Sequence, residues 1–461
     1  MSTDNSTIPV VQGNKIIDKI NERLKRKEQF FSFEYFPPKT EKGVANLDKR
    51  MTNMALRGPV WMDMTWGAGG RTSDLTLSLC DKIQNQKKVD ALMHLTCTNM
   101  EKKKIDDALD GCKKVGVRNI LALRGDPPIG EEAWTATEGG FSCARDLIKY
   151  IRKQHGDHFC VSCAGYPEGH PNVRKEITDP NYDPATNTPA YWAVRKLPNG
   201  KYEGVSPEDW KTEQDYLKSK VDSGADFIVT QLFYDLDIFY AWEKQCREMG
   251  IKVPILPGIM PFFKPGSFGR MTGFCKTVVP DDIQKAVVKY KDDEKGFQAW
   301  GVEHISKICR NLLTSGVVPS IHLYTLNNEK IPYQILDTLG FPKSRGSSPP
   351  QLDKLFSLAI NSKVPDKGWR AGLEKSEGKS VAKKQAPKAK DLISKAKTLA
   401  KTETKVAETI SSHTKLMSAV KSPKSRKLSN TSSHLSRAED QTKRATIAAY
   451  KAEKREQKAN A

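Results

Sequence analysis

Apolar positions in this chain gather into eight short, β-rich runs: Phe30–Phe36, Val60–Trp66, Leu92–Cys97, Asn119–Arg124, Phe159–Tyr166, Phe227–Tyr234, Val253–Pro261 and Ser320–Leu326. They read as near-continuous hydrophobics, which suits parallel strands covered on both faces. Helical patterns lie between them. Thr72–Gln86 sets Leu75, Leu79 and Ile83 on one stripe, and Lys102–Lys114 and Cys143–Gln154 are amphipathic. Trp210–Ser223 and Gly301–Thr314 run into Gly224 and Gly316, the residue type that ends helices. Every run but the last leads into a helical pattern. The expected fold is therefore α/β, a (β/α)₈ TIM barrel over residues 29–342. A doubly wound open sheet is the alternative. No GxGxxG follows the first run, and Gly67-Ala68-Gly69-Gly70 lacks that spacing.

The remaining segments depart from this rhythm. Residues 1–28 form an N-terminal extension. The connection at 174–207 is unusually long. Within it Tyr191–Arg195 and Lys201–Val205 flank Leu197-Pro198-Asn199-Gly200, an arrangement that predicts a β-hairpin. A loop after a barrel strand leaves on the active-site side, so the hairpin is expected to cover part of a cofactor pocket; a surface decoration is the competing reading. Residues 343–365 read as a linker and 366–461 as a basic, low-complexity tail.

Charge follows the same division. The chain carries a formal net charge of +20, and 24 Lys+Arg against 10 Asp+Glu fall in residues 366–461. The preceding 365 residues hold 51 against 45, which excludes a body-wide nucleic-acid footprint. With Trp369 and Tyr450 as its only aromatic residues, the tail is expected to stay disordered and solvated, with a weak acidic partner as the alternative. The start, Met1–Asn14, is polar and resembles neither a signal nor an Arg-rich transit peptide. No apolar run is long enough to span a membrane. The nine cysteines are scattered, as in a reducing compartment, and a cytoplasmic location is expected. Cys160 and Cys163 form one CxxC inside an apolar run and read as two small buried residues.

A barrel enzyme keeps its chemistry where strands end. Polar clusters stand at those ends: Glu34; Thr65-Trp66; His94 with Thr96 and Cys97; Arg124-Gly125-Asp126; Tyr166 to His170; Thr230-Gln231; and Tyr324 to Asn327. A lone carboxylate between aromatics, as Glu34 is, favours its neutral form and suits general acid work. No metal-ligand spacing and no serine nucleophile elbow is present, so no metal is expected. Donors (Thr65, His94, Arg124, Gln231), stacking surfaces (Trp66, Tyr166, Tyr324) and two carboxylates (Glu34, Asp126) suit a large planar cofactor with a phosphate tail better than hydrolysis.

These motifs, Ser32-Phe33-Glu34-Tyr35-Phe36-Pro37-Pro38-Lys39, Thr65-Trp66, His94-Leu95-Thr96-Cys97, Arg124-Gly125-Asp126-Pro127, Tyr166-Pro167-Glu168-Gly169-His170-Pro171, Thr230-Gln231, Pro257-Gly258-Ile259 and Tyr324-Thr325-Leu326-Asn327, resemble the catalytic domain of the methylenetetrahydrofolate reductases, eukaryotic members in particular. The resemblance covers about residues 30–340. It implies an FAD-dependent barrel that takes a hydride from NADPH or NADH and reduces methylenetetrahydrofolate to 5-methyltetrahydrofolate by ping-pong turnover at one flavin face, within one-carbon and methionine metabolism. It further implies that Glu34 is the catalytic acid and that Asp126 faces the pterin and tunes the flavin. Thr65, Trp66, His94, Arg124, Gly125, Asp126, Ala144, Tyr166, His170, Glu213 and Lys220 would hold FAD. Gln231 and Tyr324 would contact folate. Partners would be these small molecules, with room for a homo-oligomer.

Two positions depart from the family pattern. Glu213 stands where Asp is usual, and Asn328 where an Arg commonly follows the Tyr324 motif. The basic tail stands where eukaryotic members carry a regulatory domain, so inhibition by S-adenosylmethionine is not expected. Another flavin barrel, such as a proline-dehydrogenase-like oxidase, and a barrel kept only for binding remain the rival functions.

Overall fold

The computed structural model describes residues 13–67, 72–97, 100–125 and 139–344. Its strands are β1 (Phe30–Tyr35), β2 (Trp61–Met64), β3 (Asp90–Thr96), β4 (Asn119–Leu123), β5 (Cys160–Gly165), β6 (Lys175–Glu176), β7 (Trp192–Lys196), β8 (Tyr202–Val205), β9 (Phe227–Thr230), β10 (Ile255–Leu256), β11 (Gly258–Ile259) and β12 (Ser320–Tyr324). The helices are α1 (Ile16–Lys25), α2 (Glu41–Ala55), α3 (Ser73–Asp81), α4 (Lys102–Lys114), α5 (Ala144–His155), α6 (Pro207–Asp222), α7 (Leu236–Glu248), α8 (Pro265–Phe274), α9 (Asp281–Lys289), α10 (Glu294–Thr314) and α11 (Lys330–Thr338).

The main sheet runs β10-β9-β5-β4-β3-β2-β1-β12-β11, parallel throughout. β10 and β11 are two halves of one barrel strand. The first pairs with β9 and the second with β12, so the sheet closes on itself as a (β/α)₈ barrel. The single run expected at Val253–Pro261 is split because Pro257 has no N–H to give the ladder. Its carbonyl still accepts from His322 N–H at 2.9 Å, and the Thr230 hydroxyl takes the Gly258 N–H at 2.9 Å.

The strands are buried on both faces, as expected, and only the inward face turns polar toward the C-terminal end. One set of side chains, including Phe31, Phe33, Tyr35, Met62, Met64, Met93, Leu95, Ile321 and Leu323, packs outward under the helices in one large core. The other set points into the barrel. At the N-terminal end it is apolar: Phe30, Trp61, Leu92, Leu121, Cys160, Phe227 and Leu256. Toward the other end the same parity carries Ser32, Glu34, Asp63, Thr65, His94, Thr96, His322 and Tyr324. Cys160 belongs to the inner cluster and Cys163 to the outer one, and both are buried free thiols.

Helix α1, part of the segment set aside as an extension, seals the N-terminal end. Ile16 and Ile20 are fully buried in the inner cluster. Asn119 accepts from Ile16 N–H at 2.7 Å, and Asp90 accepts from Asn14 N–H at 2.9 Å. α11 follows the last strand, correcting the expectation that this strand leads into no helix. α6 and α10 begin earlier than their apolar stripes. Ser206 caps Asp209 N–H ahead of Pro207, and Asp293 caps Gly296 N–H, so short polar caps outrank the hydrophobic pattern at these starts. Gly224 and Gly316 do end their helices, with φ of 111° and 73°. No helix among the described residues is long and apolar enough to cross a membrane.

Candidate active site

The inward-facing polar positions meet at the C-terminal end of the barrel, where a bowl of about 1300 Å³ opens. Glu34, Thr65, Trp66, His94, Arg124, Gly125, Tyr166, His170, Gln231 and Tyr324 all line it. A groove of about 970 Å³ runs outward from the bowl beside α5 and α6, lined by Ala144, Glu213 and Lys220. Leu123, Arg124, Ala164, Tyr166 and His170 line both, so bowl and groove are continuous. Residues from nine different segments thus converge on one continuous space. Asp126 lies outside the described residues.

Glu34 is not a lone carboxylate between aromatics. Phe33 and Tyr35 point to the outer core, because neighbours in a strand face opposite sides. Its companions are Asp63, His94 and His322. Glu34 Oε2 lies 3.7 Å from His94 Nε2 and 3.9 Å from His322 Nε2. Asp63 Oδ2 lies 3.1 Å from His94 Nε2 and 3.7 Å from His322 Nε2, and Asp63 is fully buried. Ser32 Oγ sits 2.8 Å from His322 Nδ1. Burial pulls the His322 pKa down, but the Asp63 and Glu34 carboxylates outweigh it and the net displacement is upward. The cluster gathers two carboxylates and two imidazoles at the floor of the bowl.

Ser32, Asp63 and His322 escaped the sequence search, which looked at strand ends. The signal was available: each is a polar residue at the same parity as Glu34 or its neighbour, inside an apolar run.

The rim is fixed by unusual backbone. The Tyr324 hydroxyl donates to the Thr230 carbonyl, and the Thr325 hydroxyl to the Glu34 carbonyl at 2.6 Å. A Cβ at Gly258 would stand 2.4 Å from both the Tyr324 hydroxyl and the Thr230 carbonyl, so only glycine fits. Leu326 and Asn327 adopt φ of 46° and 57°. The Asn327 side chain then brackets Phe36, accepting from its N–H at 3.0 Å and donating to its carbonyl at 2.9 Å. Asn328 caps Ile331 N–H at 3.2 Å, a structural use of the position where an Arg is common. Gln231 N–H donates to the Gly165 carbonyl at 2.7 Å.

In the groove, Lys220 is buried and donates to the Ala164 carbonyl at 2.6 Å. Burial lowers its pKa, against the pull of Cys163 and Glu213. His170 is pushed down to about 4 by burial and by the Arg124 and Lys220 charges, so it stays neutral at working pH. Glu213 is pushed up by burial, while the His170 N–H it accepts from at 3.2 Å favours its charge. The N-terminus of α5, with Ser142, the capping position Cys143 and Ala144, opens into the same groove, and a helix N-terminus favours anions.

Trp66 Nε1 and Thr96 Oγ1 are buried and find no partner among the described residues. A bowl with such donors, joined to a cationic groove at a helix start, fits a planar ring system with a phosphate-bearing tail. The hairpin expected at 191–205 is present as antiparallel β7 and β8, extended by β6. It stands behind the walls of the two spaces; among the described residues none of the hairpin lines either one.

Residues 19–340 match the family described as Methylenetetrahydrofolate reductase. The chain is 47% identical over 326 residues to a probable methylenetetrahydrofolate reductase (NADH) of Oryza sativa, covering 71% of this chain and 50% of that protein. It is 42% identical to methylenetetrahydrofolate reductase 2 of Saccharomyces cerevisiae (70% and 49% covered). It is 34% identical to a probable methylenetetrahydrofolate reductase (NADPH) of Caenorhabditis elegans (76% and 48%). The chain spans about half the length of the curated relatives it matches.

Proposed function

The chain belongs to the methylenetetrahydrofolate reductase family, and from that premise we propose that its barrel reduces the methylene bridge of 5,10-methylenetetrahydrofolate to a methyl group, with FAD as resident cofactor and NADPH or NADH as electron source. The observation that carries this reading is the convergence of Glu34, backed by Asp63, His94 and His322, on a bowl continuous with a cationic groove.

Trp66, Thr96 and Thr65 would hold the flavin ring in the bowl. Arg124, Gly125, Ala144, Tyr166, His170, Glu213 and Lys220 would hold its tail. When bound, the flavin supplies the two-electron chemistry, accepting a hydride from the nicotinamide and delivering one to the folate carbon in separate half-reactions.

The chain's residues supply protons and orientation. The bridge nitrogen must leave as an amine, so it needs an acid. Glu34 gives that proton from the bowl floor. Its carboxylate is then left beside His322, whose raised pKa favours a compensating positive charge. Gln231 and Tyr324 orient the folate, and Tyr324 is held for this by its bond to the Thr230 carbonyl. Asp126, outside the described residues, is assigned the pterin-facing carboxylate.

Anaerobic stopped-flow on the purified chain tests the proposal. The protein should be yellow, bleach with NADPH or NADH, and recover its colour on adding methylenetetrahydrofolate. Plant relatives carry NADH in their names and the nematode relative NADPH, so the two are compared side by side. A colourless protein, or a reduced flavin that methylenetetrahydrofolate leaves bleached, overturns it.

A further inference from the structure

Between β5 and α6 the chain carries a three-stranded insertion that buries ionisable side chains beside Val205 and Ala193. Arg174 is 1% exposed and Glu203 and Glu168 are each 6% exposed. The Arg174 and Glu203 charges are costly to bury and persist only where partners satisfy them, whereas burial raises the Glu168 pKa and favours its neutral form. Glu203 sits between three cations: Arg195 Nε at 2.7 Å, Lys276 Nζ at 3.1 Å and Arg174 Nε at 4.0 Å. Arg174 also donates to the carbonyls of Glu168 and Ala193, both at 2.6 Å.

Trp192 of the insertion stacks on Trp210 of α6, and Lys175 pairs with Asp209 at 2.9 Å, while the charge cluster itself is tied to the C-terminal turn of α8 and the residues after it. Arg195 donates to the Thr272 and Thr277 carbonyls at 3.5 and 3.4 Å. Lys276 reaches back to the Arg174 carbonyl at 2.7 Å, and Val278 N–H donates to Glu168 Oε2 at 2.8 Å. Lys276, just past the end of α8, takes φ of 51°, a left-handed conformation uncommon for a residue with a side chain.

α8 is a helix that needs holding. It buries only Phe268 and Thr272. Its interior carries Gly269 and Gly273, where an added Cβ would meet nothing within 4 Å. These glycines serve no close approach, and glycine in a helix interior weakens it. Yet Met271, Phe274 and Cys275, at its end, form one wall of the bowl.

We propose that the inserted hairpin is a positioning element for this active site: the Glu203-centred charge cluster, with Arg195 as its arm, fixes the end of α8 and so sets the bowl wall against which the folate substrate seats. This rests on the reductase reading for the identity of that substrate, and on geometry alone for the tether. The residues that would hold the flavin tail line the groove on the other side of Tyr166 and His170, and Arg195 is not among them, so cofactor retention should not depend on Arg195.

The test uses the full purified chain and the variants Arg195→Met, Arg195→Lys and Arg195→Met with Gly269→Ala. Arg195→Met should raise KM for methylenetetrahydrofolate about tenfold, the scale of one lost charge-assisted hydrogen bond. Its kcat and flavin content should stay near wild type, and amide exchange over residues 265–278 should speed up. Arg195→Lys should restore much of the KM, and Gly269→Ala should recover part of it by stiffening α8. A lowered Tm with unchanged KM and unchanged exchange overturns the proposal, as does a KM rise matched by flavin loss. A wild-type chain that never reoxidises with methylenetetrahydrofolate sinks the reductase reading instead. Exchange over 265–278 then still decides the tether, with an unaltered rate refuting it.

Discussion

The two ends of this barrel are built from the same strands and the same inward parity, yet they differ in kind. The N-terminal end is packed with Phe30, Trp61, Leu92, Leu121 and Phe227 and closed by Ile16 and Ile20 of α1. The C-terminal end holds Glu34, Asp63, His94, His322 and Tyr324 around an open bowl. Moving two residues along a strand shifts the environment from dry core to charged network. Inside the barrel the apolar packing is therefore concentrated at one end, which frees the other to bury charge and leave space.

That division can be broken from either side. The largest expected effect is at the open end. Glu34→Gln should slow methylenetetrahydrofolate reduction by about 10²–10⁴-fold, the usual worth of a positioned general acid, while NAD(P)H still bleaches the flavin. Normal folate turnover in rapid-mixing traces would remove Glu34 from its role. At the closed end, Ile20→Ala should cost about 2–5 kcal/mol of stability in urea unfolding, and the folded fraction should keep its KM values. A shifted KM would show that the ends are coupled.

Glu168 sharpens the contrast by pH. Burial raises its pKa to about 8, against the pull of Val278 N–H and Arg174. The folded state thus keeps a proton that the unfolded chain releases above about pH 4.5. Stability should fall as pH rises from about 5 to 8, by up to about 1.4 kcal/mol per pH unit, and level off beyond. Glu168→Gln should remove that slope in Tm measured across the range; a slope that survives would acquit Glu168. The smallest effect is expected for Tyr324→Phe, which loses the bond to the Thr230 carbonyl, worth about 1 kcal/mol. KM for methylenetetrahydrofolate should rise a few-fold with flavin content unchanged, and an unaltered KM would leave the hydroxyl without a part in seating the substrate.

Much of the site was legible because barrel chemistry collects at strand ends. Glu34, Thr65, Trp66, His94, Arg124, Gln231 and Tyr324 were found there and the structure brings them to one bowl. Asp63 and His322 were not, since each lies inside a strand and joins Glu34 and His94 only when four separate strands turn the same side inward. α1 was missed for a similar reason. Its ten residues have no role until a barrel end exists to be closed.

The sequence alone determined the run of strands, the helices between them, the hairpin at 191–205 and the strand-end residues, because period, turn chemistry and capping act over a few neighbours. It also supplied the motifs that carry the family resemblance. The tertiary structure decided which residues meet: the Asp63–His94–His322 set around Glu34, the split of the seventh strand at Pro257, and the placing of the hairpin behind α8. Those depend on contacts between residues up to about 290 positions apart, such as Ser32 with His322, and no local pattern encodes a distance closed only by folding the barrel.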